Sequence, residues 1–194
     1  GDLDNDGFPE FYLGTGYPPY FALMPNVMYW NRGGQRFDDV THAGGFGHLQ
    51  KGHAVAFADL DRDGDQDVFE QMGGALAGDR FMDVLYENPG FGNRWLAVEL
   101  TGTRSNRSGV GVRIRVEVSE GGRRRSIFKH VNSGGSFGAN SVRRQIIGLG
   151  EAERIERLEL FWPAASRTES FAGVPLDSLI HVKEGSGEVV VLRY

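Results

Sequence analysis

The most constraining feature of this sequence is an acidic segment in which aspartates occupy every second position. Residues 59–67 read Asp-Leu-Asp-Arg-Asp-Gly-Asp-Gln-Asp. Carboxylates at this spacing repel one another unless a cation lies among them. Gly64 allows a sharp backbone turn at the centre of the segment. The pattern therefore predicts a cation-binding loop, which we call the second loop.

A related segment occupies residues 2–10, which we call the first loop, with Glu10 in place of the last aspartate. A solvated acidic turn is the alternative for one such segment, but the repetition favours a cation. Ca²⁺ binds about six to eight oxygens, including side chains at loop positions 1, 3, 5 and 9 and the carbonyl at position 7. We predict two Ca²⁺ ions, held by the side chains of Asp2, Asp4, Asp6, Glu10, Asp59, Asp61, Asp63 and Asp67 and by the backbone carbonyls of Phe8 and Asp65.

The second loop also satisfies the EF-hand pattern, because Glu70 falls at position 12. The first loop does not, since its position 12 is Leu13. Before the second loop, residues 53–58 alternate small and large residues, and after it Val68 and Phe69 are followed by the glycines at 73 and 74. That pattern is typical of strands, so we expect each loop to join two antiparallel strands rather than two helices.

The paired loops, together with the strand, glycine turn and strand pattern of residues 26–41, resemble the FG-GAP/VCBS repeat family. This resemblance implies calcium-binding blades of a β-propeller, as in integrin α chains. It covers residues 1–90, which we expect to be the C-terminal part of a longer propeller.

The breakers at residues 89–92 predict a domain boundary. Beyond them, residues 110–118 alternate apolar with charged side chains, as in a half-buried antiparallel strand. Residues 151–154 are expected to form one helical turn. Further strands are predicted at 95–100, 126–131, 143–147, 155–162, 168–171, 178–182 and 188–193. The whole chain is thus predicted to be all-β, a partial β-propeller followed by a β-sandwich over residues 91–194.

The second half contains a second recognisable set of segments, at residues 93–96, 102–111, 134–137, 148–150 and 161–163. These segments resemble a known family, the ASPIC/UnbV domain. This domain commonly follows FG-GAP repeats in bacterial secreted proteins and in animal cartilage acidic proteins. The resemblance implies an extracellular, cell-surface or periplasmic location.

Charge is divided unevenly between the halves. Residues 1–91 contain 5 basic and 15 acidic residues, whereas residues 92–194 contain 16 and 11. A basic second domain predicts a protein or acidic-glycan partner. The alternative is that its arginines occupy the solvent-facing positions of exposed strands and bind no partner. Nucleic acid is not expected, because no stacking platform accompanies the arginines. The arginines concerned are Arg113, Arg115, Arg123, Arg124, Arg125, Arg143 and Arg144.

The chain also has no apolar run of the roughly 18–20 residues that a membrane span requires.

Residues 134–138 match the Gly-x-Ser-x-Gly nucleophile elbow, with Ser136 at its centre and Asp177 and His181 following in hydrolase order. The elbow needs a strand before it and a helix after it, and no strand-helix alternation surrounds this one. We therefore expect no enzyme activity, and we interpret the glycines as a tight turn.

Together these observations predict a non-catalytic, calcium-stabilised extracellular binding or adhesion module. Two alternatives remain open. One is an enzyme or accessory protein of natural-product biosynthesis, a role associated with the UnbV name. The other is a subunit of an extracellular assembly that self-associates through an open propeller edge.

Overall fold

The computed structural model describes residues 1–140 and 142–193, in which all regular structure is β-strand. The prediction of an all-β fold is confirmed. The first half contains two three-stranded antiparallel sheets, in the orders β1-β2-β3 and β4-β5-β6. Their strands are β1 (Phe11–Leu13), β2 (Val27–Asn31), β3 (Phe37–Asp39), β4 (Gly52–Ala58), β5 (Asp67–Met72) and β6 (Val84–Tyr86).

The second half contains two four-stranded sheets, in the orders β10-β7-β13-β14 and β12-β11-β8-β9. Their strands are β7 (Arg94–Thr101), β8 (Arg113–Glu120), β9 (Arg123–His130), β10 (Gln145–Gly150), β11 (Arg154–Trp162), β12 (Arg167–Phe171), β13 (Ser178–Lys183) and β14 (Val190–Leu192). Most neighbours are antiparallel, but β13 pairs with β7 in parallel.

One large apolar core joins the two four-stranded sheets. Leu96 on β7 and Ile180 on β13 belong to the same buried cluster as Val116 on β8 and Leu158 on β11. Trp162 is fully buried in it. The two sheets therefore face each other, an arrangement consistent with the predicted β-sandwich.

Strand β10 is buried at every residue. Ile147 faces the large core, whereas Ile146 packs with Ala97 and Leu179 in a separate cluster on the opposite side of the sheet. A strand buried on both faces needs cover on both. The first loop in addition covers the free edge of β10, because the backbone N–H groups of Gly148 and Gly150 donate hydrogen bonds to it.

A smaller core joins the two three-stranded sheets. Tyr12 and Met28 from the first sheet share a buried cluster with Val55 and Val68 from the second. Leu3 of the first loop belongs to the same cluster. This core places the first and second loops side by side.

Two local predictions were wrong. Residues 151–154 form a turn rather than a helical turn, and β11 begins at Arg154. The predicted strand at 110–118 begins only at Arg113, because Gly109 and Gly111 have φ of 73° and 95° and place residues 110 and 111 in a turn. The proposed boundary at residues 90 and 91 lies between β6 and β7 and stays a prediction.

Candidate metal centres

The two acidic loops have the same backbone conformation at equivalent positions. The fourth residues, Asn5 and Arg62, have φ of 56° and 69°, and the sixth, Gly7 and Gly64, have φ of 93° and 100°. Equivalent residues are 57 positions apart in the sequence. Positive φ is uncommon for residues other than glycine, so its recurrence shows that the segments fold as repeats of one loop.

The carboxylate at position 9 closes each loop onto its own second residue. The Leu3 N–H donates to Oε2 of Glu10 at 2.8 Å, and the Leu60 N–H donates to Oδ2 of Asp67 at 3.0 Å. For the second loop, β4 pairs with β5 antiparallel and Ala58 lies opposite Asp67. The prediction of a loop between two antiparallel strands is therefore confirmed there.

The carboxylate at position 5 is oriented by the backbone two residues further on. Oδ1 of Asp6 accepts from the Phe8 N–H at 2.7 Å, and Oδ1 of Asp63 accepts from the Asp65 N–H at 3.1 Å. In both loops this hydrogen bond fixes the turn that includes the glycine. The side chain at position 5 is thereby held in one orientation before any cation binds.

Two asparagines that sequence reasoning missed hold the last carboxylate of each loop. The Asn31 N–H donates to Oε1 of Glu10 at 3.2 Å, and the Asn88 N–H donates to Oδ1 of Asp67 at 2.9 Å. Each asparagine follows its carboxylate by 21 residues. Asn31 and Asn88 are 57 positions apart, as are equivalent residues of the two loops. Continuing the alignment of the loops along the sequence would therefore have paired these two asparagines.

The structure brings three carboxylates of each loop close enough to share a cation. Ligand oxygens of Asp2, Asp4 and Glu10 lie within 4.8 Å of one another in the first loop. In the second loop the group is Asp59, Asp61 and Asp63, which are loop positions 1, 3 and 5 rather than 1, 3 and 9. Asp6 and Asp67 lie beside these groups and are held by backbone N–H donors.

Buried oxygens in and beside the loops fit the presence of cations. Oδ1 of Asp2, of Asn5 and of Asp65 is buried and has no hydrogen-bond partner among the described residues. A buried polar atom without a partner costs about 1–3 kcal/mol. A divalent cation would supply Asp2 with the missing interaction, so the residues present fit Ca²⁺ in chemistry and in burial.

Burial of the loop carboxylates also shifts their pKa values. Burial, and next the charge of Asp6, raises the pKa of Asp2 to about 6. Burial also raises the pKa of Glu10 to about 7, against hydrogen bonds from backbone N–H groups. For Asp65, burial and the neighbouring Asp63 carboxylate raise the pKa to about 7. Without a cation these loops hold carboxylates where their charged forms are disfavoured.

Comparison with protein families agrees with this geometry. The family model described as an FG-GAP-like repeat matches residues 2–70, and the model described as ASPIC and UnbV matches residues 102–189. The chain is an FG-GAP-like repeat followed by an ASPIC/UnbV domain. A search of curated proteins found no match. FG-GAP repeats are blades of β-propellers and are typical of extracellular or cell-surface proteins.

The EF-hand interpretation of the FG-GAP-like repeat is not supported. Glu70 lies on β5, where it is fully buried and accepts a hydrogen bond from the Tyr12 hydroxyl at 2.7 Å. It is outside the group formed by Asp59, Asp61 and Asp63. Among the described residues, no helix flanks either loop.

The serine, aspartate and histidine considered as a triad in the ASPIC/UnbV domain have separate partners. Ser136 Oγ accepts from the Val55 N–H at 3.0 Å, which ties this turn to the FG-GAP-like repeat. Asp177 forms an ion pair with Arg94 at 2.6 Å. His181 forms a hydrogen bond with Thr101. The absence of enzyme activity stays a prediction.

Several arginines of the ASPIC/UnbV domain lie in ion pairs with its own glutamates. Arg115 bridges Glu117 and Glu159 on neighbouring strands. Arg124 also pairs with Glu117, and other pairs join Arg125 to Glu120 and Arg144 to Glu99. These pairs lower the positive charge that the domain presents to a partner. No helix long and apolar enough to span a membrane occurs in the described part of the chain.

Proposed function

We propose that this chain is a non-catalytic binding module of the extracellular space or cell surface, stabilised by two Ca²⁺ ions. The observation that carries the proposal is the repeated loop, with the same positive-φ positions and the same closure by the ninth carboxylate in both copies. In each loop, three carboxylates converge. Oxygen ligands of this kind are those that Ca²⁺ prefers.

The calcium in this proposal is structural. It cancels the repulsion among the carboxylates of each loop and provides a partner for the buried Oδ1 of Asp2. The loops then hold the two three-stranded sheets and the ASPIC/UnbV domain in fixed positions. A partner binds to the surfaces that this scaffold presents.

We further propose that the partner is a protein rather than an acidic glycan. A glycan with many sulfates or carboxylates requires unpaired cationic side chains, whereas Arg115, Arg124, Arg125 and Arg144 are paired with glutamates. Elution from a heparin column tests this directly. We expect elution at low salt, and retention beyond about 0.5 M NaCl, where exposed charges are strongly screened, would favour the glycan.

Calorimetric titration of metal-stripped protein with Ca²⁺ tests the calcium sites on which the proposal rests. Wild-type protein should bind two ions, and Asp4→Ala and Asp61→Ala should each lose one. Asp38→Ala is the matched control, because this aspartate pairs with Arg32 and Arg36 outside both loops. The proposal fails if wild-type protein shows no binding in the millimolar range that is typical of extracellular calcium sites.

A further inference from the structure

The first loop does not stand alone in the FG-GAP-like repeat. On one side it contacts the second loop, where the Asn5 side-chain amide donates to the Gly64 carbonyl at 3.2 Å. The Asp2 N–H also donates to Oε1 of Gln66 at 3.0 Å. On its other side the first loop lies against the ASPIC/UnbV domain. The arrangement places the candidate metal centre between two parts of the chain.

Strand β10 contacts a predicted ligand directly. The Gly148 N–H donates to Oδ2 of Asp2 at 3.2 Å, and the Gly150 N–H donates to the Asn5 carbonyl at 2.8 Å. A Cβ atom on Gly148 would lie 2.3 Å from Oδ2 of Asp2 and 2.4 Å from the Asn5 backbone. Only glycine permits so close an approach. The position of Asp2 is therefore set by a residue 146 positions away.

Arg125 on β9 makes a second contact. Its Nη1 donates to the Asp6 carbonyl at 2.6 Å, and its guanidinium lies 5.8 Å from the ring centroid of Phe8. Glu120 holds the arginine in place through an ion pair at 3.0 Å. Arg125 thus fixes the backbone between positions 5 and 7 of the first loop, which carries the predicted carbonyl ligand.

The start of the ASPIC/UnbV domain contacts both loops. The Asn93 side-chain amide donates to the Asp4 carbonyl at 2.7 Å. Trp95 packs so closely on the second loop that a Cβ atom on Gly64 would lie 2.0 Å from its ring. Contacts from β7, β9 and β10 therefore converge on one region.

We propose that the ASPIC/UnbV domain is part of the first calcium site, so that calcium binding and docking of the domain stabilise each other. Gly148, Arg125 and Asn93 act as positioning residues, since they orient ligands without supplying one. The inference rests on the proposed function, because it requires that the first loop binds calcium. Thermodynamic linkage makes the coupling reciprocal: a contact that strengthens calcium binding is itself strengthened by calcium.

The coupling gives the module a response to calcium concentration. When calcium leaves, the charges of Asp2 and its neighbours repel one another and loosen the backbone that β9 and β10 contact. The large core of the ASPIC/UnbV domain includes Ile147 beside Gly148, but it is formed between the domain's own two sheets and stays intact. Loss of calcium therefore releases the domain from the repeat without unfolding it.

The test measures calcium affinity one loop at a time by calorimetry. An Asp61→Ala background isolates the first loop, and an Asp4→Ala background isolates the second. Gly148→Ala and Arg125→Met should weaken the first loop at least tenfold and change the second less than twofold. Arg123→Ala is the control, because this arginine is exposed on the same strand.

Hydrogen exchange on the wild-type protein gives an independent result that does not depend on how the variants fold. Calcium should slow exchange at the Gly148 and Gly150 amides at least tenfold and leave the core amide of Leu158 unchanged. Equal affinities in the variants, or exchange at both glycines that ignores bound calcium, would overturn the coupling. Absence of calcium binding by wild-type protein would instead overturn the proposed function.

Discussion

The backbone N–H of Gly148 donates a hydrogen bond to the carboxylate of Asp2, at the opposite end of the chain. This contact joins the ASPIC/UnbV domain to the first predicted ligand of the FG-GAP-like repeat. Because of this contact, we expect the two parts of the protein to unfold together when the first loop is ordered and separately when it is not.

Calorimetric unfolding should accordingly show one transition in calcium and two in chelator. The repeat has a small core around Met28, whereas the ASPIC/UnbV domain has a large one around Trp162. Once the interface loosens, the small core melts first. Two separated transitions in saturating calcium would contradict this prediction.

Replacing Asn88 with alanine should destabilise the repeat by about 2–3 kcal/mol, because two buried carbonyls lose their donor. The Asn88 side chain donates to the Leu3 carbonyl at 2.7 Å and to the Gln66 carbonyl at 3.1 Å, so it joins the two loops. Urea unfolding in saturating calcium measures the loss. Asn106→Ala, which removes one exposed hydrogen bond, should cost less than about 1 kcal/mol, and equal costs would argue against a special role for Asn88.

The metal-free protein should become less stable as the pH rises from about 4 to 7. The pKa of Asp2 is raised to about 6 and that of Glu10 to about 7, chiefly by burial. A raised pKa means that the folded state binds protons more tightly, so this contribution is present at low pH and is lost as each group ionises. Urea unfolding of metal-stripped protein at several pH values measures the slope.

Saturating calcium should reverse this slope, since protons then compete with the cation for the same oxygens. If the stability of the metal-free protein stays constant or rises over the same pH range, burial does not disfavour the charged forms of these carboxylates.

Glu184 should stabilise the loop after β7 through its charge. Burial raises the pKa of this carboxyl, but N–H donors from Ser105, Thr103 and Arg104 and the Ser105 hydroxyl outweigh burial and lower the pKa to about 2. The lowered pKa means that the contribution is present above the unfolded pKa of about 4.5 and is lost as the pH falls toward 2.

Glu184→Gln should therefore destabilise the ASPIC/UnbV domain at pH 7 by about 2–3 kcal/mol, because one amide cannot accept all of these hydrogen bonds. Urea unfolding measures the effect. Glu188→Gln, at an exposed position nearby, is the control. A loss at pH 7 no larger than that of the control would count against the role of Glu184.

Sequence patterns predicted features that depend on neighbours along the chain. Strand β11 was predicted at 155–162 and is found at Arg154–Trp162, because alternating burial leaves a period of two. The convergence of Asp59, Asp61 and Asp63 follows from their spacing in a turn that Gly64 allows. Both features are determined by residues that lie within a few positions of one another in the sequence.

Features that depend on distant contacts were not predicted. The parallel pairing of β13 with β7 joins segments about 80 residues apart, and alternation does not distinguish it from antiparallel pairing. The support of Glu10 by Asn31 is visible only when the repeat is extended beyond the loop. The contact of Gly148 with Asp2 leaves no pattern in the sequence around Gly148. Glycine is needed there because a distant segment of the chain approaches its backbone closely.

Thermal unfolding of metal-stripped protein in chelator, in Mg²⁺ and in Ca²⁺ tests the central claim most directly. A site saturated a hundredfold above its dissociation constant adds about 2.7 kcal/mol, so two such sites add about 5. The temperature at which the FG-GAP-like repeat melts should rise by about 10 °C or more in Ca²⁺, and by much less in Mg²⁺, which demands a stricter octahedral geometry. The same melting temperature in all three conditions would contradict calcium as the structural element of this protein.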